Sequence, residues 1–181
     1  MEEKSDLLLF EEFLNGKNEA FDELMDRYRK SLISFINKYI HNIDVAEDLA
    51  QDAFVYILVN KSKYNVDYSF KSYLFTIAKC RAFNYLRDNK KIIEFNEKYV
   101  LDEEDPIHID SNLIKNETDE RIRKGLSKLN SSYQTIIHLR YVEDFSYKEI
   151  SKILNKNMSQ VKILLFRAKN SLKKELGKEE L

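Results

Sequence analysis

Apolar residues recur along this chain at intervals of three and four, the spacing of one face of an α-helix. From Asn18, the expected cap, the residues Phe21, Leu24, Met25, Tyr28, Leu32, Phe35, Ile36 and Tyr39 mark one helix. Asp44 and Glu47 form the D-x-x-E start of a second, an N-cap with an acid three residues on. Val45, Ala46, Leu49, Ala50, Ala53, Tyr56 and Ile57 make its inner face. Residues 60–69 break the pattern and are expected as a loop. A third helix is predicted over 70–87, with Phe70, Tyr73, Leu74, Ile77, Ala78, Ala82 and Tyr85 inward. These three helices predict a small bundle.

Periodicity stops over residues 92–120. That stretch holds Asp102, Glu103, Glu104 and Asp105, then Pro106, the only proline. A charge run before a proline marks a linker, and this one is long for a passive connector. Helical spacing then returns at Ile122, Leu126 and Leu129. Ser131 with Gln134 is expected to start the next helix, carried by Ile136, Ile137 and Leu139. Ser146 with Glu149 forms a capping box before Ile150, Ile153 and Leu154. Asn155, Lys156 and Asn157 make a three-residue break, with Asn155 suited to the left-handed conformation. Asn157 can cap a last helix with Val161, Leu164, Leu165, Ala168 and Leu172 inward. A short capped helix, a tight turn and a longer basic helix make a helix-turn-helix. The expected class is all-α. Two small helical domains, a bundle over 1–91 and a helix-turn-helix domain over 121–181, are joined by an acidic linker over 92–120.

Charge sharpens this division. The 181 residues carry 30 basic and 31 acidic side chains, a net charge of −1. By segment the net is −7 over 1–60, +6 over 61–91, −8 over 92–120 and +8 over 121–181. Such alternation points to separate charged partners. Three glycines and one proline argue against a turn-rich β sandwich. One cysteine, Cys80, makes no internal disulfide and no paired-cysteine metal site. His41, His108 and His138 are scattered, so neither a zinc enzyme nor a metal site is expected. No apolar run approaches the roughly 20 residues of a membrane span, and the acidic start is unlike a signal peptide. A cytoplasmic chain with no cofactor and no small-molecule substrate is expected.

The outward faces suggest what is bound. In the second helix Glu47, Asp48, Gln51 and Val55 point out, flanked by Phe54 and Leu58. Acids mixed with apolar tips fit a polar-rimmed protein contact, although a solvated helix with two covered apolar residues gives the same pattern. In the third helix the outward stripe is Ser72, Phe75, Thr76, Lys79, Cys80, Phe83 and Arg87. Cations follow a phosphate backbone and exposed rings stack on unpaired bases, so this stripe suits a single strand; rings packed against another helix are the competing explanation. In the last helix Ser159, Lys162, Ile163, Phe166, Asn170 and Lys173 point out, with Arg167 and Lys169 at the flanks. Such a helix lies in a major groove with its first half on base edges; a solvated basic helix is the simpler alternative.

In this order the pieces resemble the extracytoplasmic-function group of bacterial RNA polymerase sigma factors. The similar strings are DVAEDLAQDAF (Asp44 to Phe54), FKSYLFTIAKCRAFNYLR (Phe70 to Arg87), LNSSYQTIIHLRYVEDFSYKEISKIL (Leu129 to Leu154) and VKILLFRAK (Val161 to Lys169). The resemblance implies a transcription initiation factor, not an enzyme, that brings core RNA polymerase to promoter DNA. Residues 1–91 would be region 2, with Asp44, Glu47, Asp48, Gln51 and Val55 on the β′ clamp. Tyr64, Asn65, Phe75, Lys79, Phe83, Asn84 and Arg87 would hold the melted −10 element. Residues 121–181 would be region 4, touching the β subunit and reading the −35 element through Ser159, Gln160, Lys162, Ile163, Phe166 and Arg167. An anti-sigma factor is a further candidate partner. Departures from the family pattern include Tyr73 for the usual Trp, Cys80 for Asn, Asn130 for Pro, Asn155 for Gly and Lys156 for an apolar residue. A two-domain helix-turn-helix regulator that never joins the polymerase is the alternative, and its sensor bundle would not need the two outward stripes.

Overall fold

Side-chain caps set where most helices begin. In the structure, a computed structural model that describes residues 4–64, 68–89 and 117–177, every regular element among those residues is helical. The chain divides into two units, Met1–Tyr99 and Val100–Leu181.

The first unit holds α1 (Asp6–Leu14), α2 (Asn18–Ile40), α3 (Ile43–Val59), a 3-10 turn (Lys61–Lys63) and α4 (Phe70–Asp88). The hydroxyl of Ser5 accepts the Leu8 N–H to start α1, and Ser69 does the same for Ser72 N–H at α4. Two expected caps move. Lys17, not Asn18, precedes α2 and makes no side-chain cap. Asn42, not Asp44, caps α3 by accepting the Val45 N–H at 3.1 Å. Asp44 sits instead in the first turn, where a carboxylate meets the positive end of the helix dipole.

Helix α1 was not expected from periodicity because the unbroken apolar run from Leu7 to Phe10 shows no three-and-four spacing. Leu9, Phe10 and Phe13 are each 1% exposed. The Phe10 and Phe13 rings join Phe21, Phe54 and Phe70 in one aromatic cluster with centroid separations of 4.6–6.5 Å. Arg27 and Tyr28 of α2 hold the Asp6 carboxylate and fix α1 at its start. Leu24, Leu32, Phe35, Ile36, Ala53, Ile57, Leu74 and Ala78 complete the core. Burying each such large side chain contributes about 1.5–3 kcal/mol.

The second unit holds α5 (Glu117–Ser127), α6 (Ser131–Ile137), a π-helical turn (His138–Val142), α7 (Tyr147–Leu154) and α8 (Met158–Gly177). Asn130, not Ser131, caps α6 by accepting the Tyr133 N–H at 3.0 Å. Gln134, expected to help start this helix, is buried and donates to the Leu129 carbonyl at 2.8 Å. The Ser146–Glu149 capping box is present in full, and Asn155 is left-handed with φ 52° and ψ 51°. Ile122 is 39% exposed, and α5 turns Gly125 toward Leu172 and Leu176 of α8. Helix α5 begins at Glu117, within the last residues of the expected linker; residues 90–116 lie outside the described residues. No helix among the described residues is long and apolar enough to cross a membrane.

Candidate nucleic-acid and protein interfaces

Helix α3 buries Ala46, Leu49, Ala50, Ala53 and Ile57, and so turns its other side out. Asp44, Glu47, Asp48, Gln51 and Val55 are all exposed. Of the two flanking apolar residues, Phe54 is turned into the core against Phe21, while Leu58 stays exposed. Beside Val55 and Gln51 lies a hollow of about 490 Å³ floored by Phe13, Phe21 and Met25, with Asp22 at its lining. The stripe therefore continues, through Gln51 and Val55, into a largely apolar depression with Asp22 in its lining.

The α4 face is narrower than expected. Phe75 is 0% exposed, with its ring 5.0 Å from that of Phe35. Ser72 is also buried. Both α2 and α3 pack on α4, so it buries a wider arc than one apolar stripe, and position 75 falls inside that arc. Phe75 is a core residue and cannot stack on a base. Thr76 is half-buried, its hydroxyl donating to the Ser72 carbonyl at 2.8 Å.

What remains outward is Cys80, Phe83, Asn84 and Arg87, with Lys79 half-buried beside them. Phe83 is 49% exposed and carries the Lys79 ammonium 5.4 Å from its centroid. Asn84 is exposed, and Arg87 donates to its neighbour Asp88 at 2.9 Å from an open position. Tyr64 is half-buried between the rings of Phe10 and Tyr73, at 4.3 and 5.3 Å, and its hydroxyl donates to the Tyr68 carbonyl. Burial first, then the Asp6 carboxylate, raises its phenol pKa. Tyr64 thus anchors the start of the loop. Asn65 lies outside the described residues. Periodicity also missed Arg81, whose guanidinium lies 5.2 Å from the Tyr56 centroid.

Helix α8 presents the expected side. Ser159, Gln160, Lys162, Ile163, Phe166 and Arg167 are exposed, with Phe166 at 65%. Val161, Leu165 and Ala168 on the opposite side are buried. Gln160 has a second task. Its Oε1 accepts the Asn157 N–H at 2.9 Å, and its own N–H donates to Asn157 Oδ1 at 2.8 Å. This reciprocal box engages the Gln160 side chain at the helix start, so base contact by that amide would have to break it.

A cluster next to α8 escaped the sequence reading. Lys169 lies 5.2 Å from the ring of Tyr141, and Arg140 lies 5.8 Å from that of Tyr147. A hydrogen bond to Tyr141 raises the Lys169 pKa. Tyr141 and Arg140 belong to the π-helical turn, whose extra residue per turn shifts the register on which a 3.6-residue pattern relies. The adjacent Arg140-Tyr141 pair was the only signal available.

Family models match both units. The Sigma-70 region 2 model matches residues 24–92 and the Sigma-70 region 4 model matches residues 119–172. RNA polymerase sigma factor YlaC of Bacillus subtilis is 31% identical over 165 residues, covering 88% of this chain and 94% of that protein. The ECF RNA polymerase sigma factor SigW of the same organism is 27% identical, covering 89% and 91%. Among solved structures, the sigma factor RpoE in complex with the anti-sigma factor NepR from Bartonella quintana has a TM-score of 0.70. It is 23% identical and covers 87% of this chain and 96% of that one, a likeness of fold.

Proposed function

Because the chain belongs to the sigma-70 family of RNA polymerase sigma factors, in its extracytoplasmic-function group, we propose that its three outward faces divide the work of initiation among them. As a sigma factor it binds core RNA polymerase and directs it to specific promoters. It is a transcription initiation factor rather than an enzyme in the usual sense, and we place its action in the cytoplasm, where the polymerase is.

The α3 stripe of Asp44, Glu47, Asp48, Gln51 and Val55 takes the β′ clamp. Its support is the exposure of all five residues, of which Gln51 and Val55 line an apolar hollow, a mix of polar and apolar surface that a specific protein contact uses. Lys79, Phe83, Asn84 and Arg87, with the loop that starts at Tyr64, take the −10 element as a separated strand. Cations there meet phosphates and Phe83 offers a ring to an unpaired base. In α8, Lys162, Ile163, Phe166 and Arg167 take the −35 element as duplex, with Ser159 and the capped Gln160 at the groove end of the helix. Ile163 and Phe166 have no polar atoms, so their contacts are apolar, such as with a thymine methyl. Residues 1–91 act as region 2, 92–120 as linker and 121–181 as region 4.

The observation that carries this division is the α3 stripe, which a free-standing DNA-binding regulator does not need. Asp48→Arg combined with Gln51→Ala tests it. Competition for core polymerase should show the double variant weakened about tenfold or more, with run-off transcription reduced in step and the helical signal of the chain unchanged. Equal competition by variant and parent removes the stripe from the polymerase contact.

A further inference from the structure

Four aromatic rings run from the centre of the first unit to its surface. Phe75 of α4 packs on Phe35 of α2 with centroids 5.0 Å apart. Phe35 meets Tyr39, one turn on along α2, at 5.5 Å and 85°. Tyr39 meets Phe83 of α4 at 5.2 Å and 62°. The first two rings are fully buried, Tyr39 is half-buried and Phe83 is 49% exposed. The rings thus cross from α4 to α2, run one turn along α2 and return to α4, lacing the end of α2 to the outward side of α4.

An exposed phenylalanine has two free torsions, and stacking on a base would freeze both. A ring already held in one orientation loses less on binding. Tilted and edge-to-face contacts of this kind fix orientation as well as adding attraction. Phe83 is held on one side by Tyr39, and Lys79 brings a cation within 5.4 Å of the ring centroid. The open half of the residue faces solvent beside Asn84 and Arg87.

We propose that Tyr39 is a positioning residue for promoter opening: it holds the Phe83 ring in the orientation that stacks on a base of the separated −10 strand. The proposal rests on the assignment of the α4 face to that strand. Tyr39 itself does not touch DNA. Its role requires the ring and not the hydroxyl.

The test uses holoenzyme on a promoter found by mapping transcript starts after forced expression of the chain. Two fragments are compared: one with the −10 element mismatched open, and one that carries the duplex −35 element and ends upstream of −10. On the open fragment Phe83→Ala should weaken binding about tenfold. Tyr39→Leu should weaken it roughly three- to tenfold, Tyr39→Phe should bind like the parent, and Tyr39→Leu should add nothing once Phe83 is alanine. The −35 fragment should bind equally in every case, which a loss of folding would not allow. If Tyr39→Leu melts below the assay temperature, Tyr39→Met takes its place with the same expectation. A parental result for Tyr39→Leu, or losses that multiply in the double variant, overturns the positioning role while leaving Phe83 on the strand. A parental result for Phe83→Ala removes the α4 assignment and the proposal with it.

Discussion

Glu143 faces His138 across the π-helical turn, Oε1 to Nε2 at 3.2 Å, with 5% and 7% of the two side chains exposed. The turn makes this meeting possible. A π-helical bond joins residues five apart, and the Glu143 N–H donates to the His138 carbonyl at 3.0 Å. The two side chains therefore leave the backbone on one side, directly before the helix-turn-helix begins. Removing one member of a buried polar pair leaves the other without that partner. Glu143→Ala should lower the stability of the second unit by about 1–3 kcal/mol, and Glu143→Gln by less. Amide exchange in α7 and α8 should quicken while that in α2 and α3 does not. Unchanged protection in α7 and α8 would contradict a structural role for the pair.

Phe75→Ala separates a core residue from a strand-binding one. With the ring fully buried, its loss should cost about 3–5 kcal/mol of stability. Promoter opening should then fall equally on duplex and on pre-opened templates, because the active fraction falls. A defect confined to duplex templates would mean that Phe75 acts on the strand after all.

The long helices were legible, and so were the short α6 and α7, which polar residues at their starts announced. The face of α8 came through intact because Val161, Leu165 and Ala168 bury one stripe and leave the other open. Helix α4 misled because two helices cover it, and a rule built for one buried stripe then misassigns the positions at its edge, here Ser72 and Phe75. Caps slipped by one or two residues, since several polar residues stand before α2, α3 and α6 and only backbone geometry selects among them. Helix α1 escaped because Leu7 to Phe10 form an unbroken apolar run, which shows no three-and-four spacing. The His138–Glu143 pair has no signature in a 3.6-residue period at all.

Base reading at −35 should separate three side chains of α8. Lys162→Ala should flatten preference at one position, by about 1–3 kcal/mol of discrimination. Lys173→Ala should weaken all sequences alike and reduce the salt slope by about one unit. Gln160→Ala should behave differently from both. It opens the box with Asn157 and costs about 1 kcal/mol of stability, with the rank order of promoters unchanged. Holoenzyme binding to a series with single −35 substitutions reads all three. A changed rank order for Gln160→Ala would show that its amide leaves the cap to meet a base.

Alkaline pH should loosen the first unit at the base of its loop. Burial raises the phenol pKa of both Tyr64 and Tyr73 above the ordinary 10.0. The folded state then holds these protons more tightly than the unfolded chain does, so stability is full below about pH 10 and falls as pH rises past it. Absorbance of phenolate should show two tyrosines titrating late, together with a loss of helical signal. Tyr64→Phe should shift that loss to higher pH. An unshifted alkaline transition would mean that other groups set it.

Gly125 seats α5 on the far end of α8. A methyl group there would come within 2.9 Å of Leu176 Cδ2 and 3.2 Å of Leu172 Cδ1, so the missing side chain is what lets α5 lie close against the last turns of α8. Glycine inside a helix costs about 0.5–1 kcal/mol against alanine, and close approach is what offsets it. The twenty residues of α8 span about 30 Å, clasped by α5 near one end and presenting Lys162, Ile163 and Phe166 toward the other. Val161 and Leu165, in the first half of α8, are buried as well, with α6 and α7 packed on the helix. Mechanically α8 is a beam carried along its length, so the aim of its outward residues is shared between the α5 seat at one end and the supports nearer Lys162.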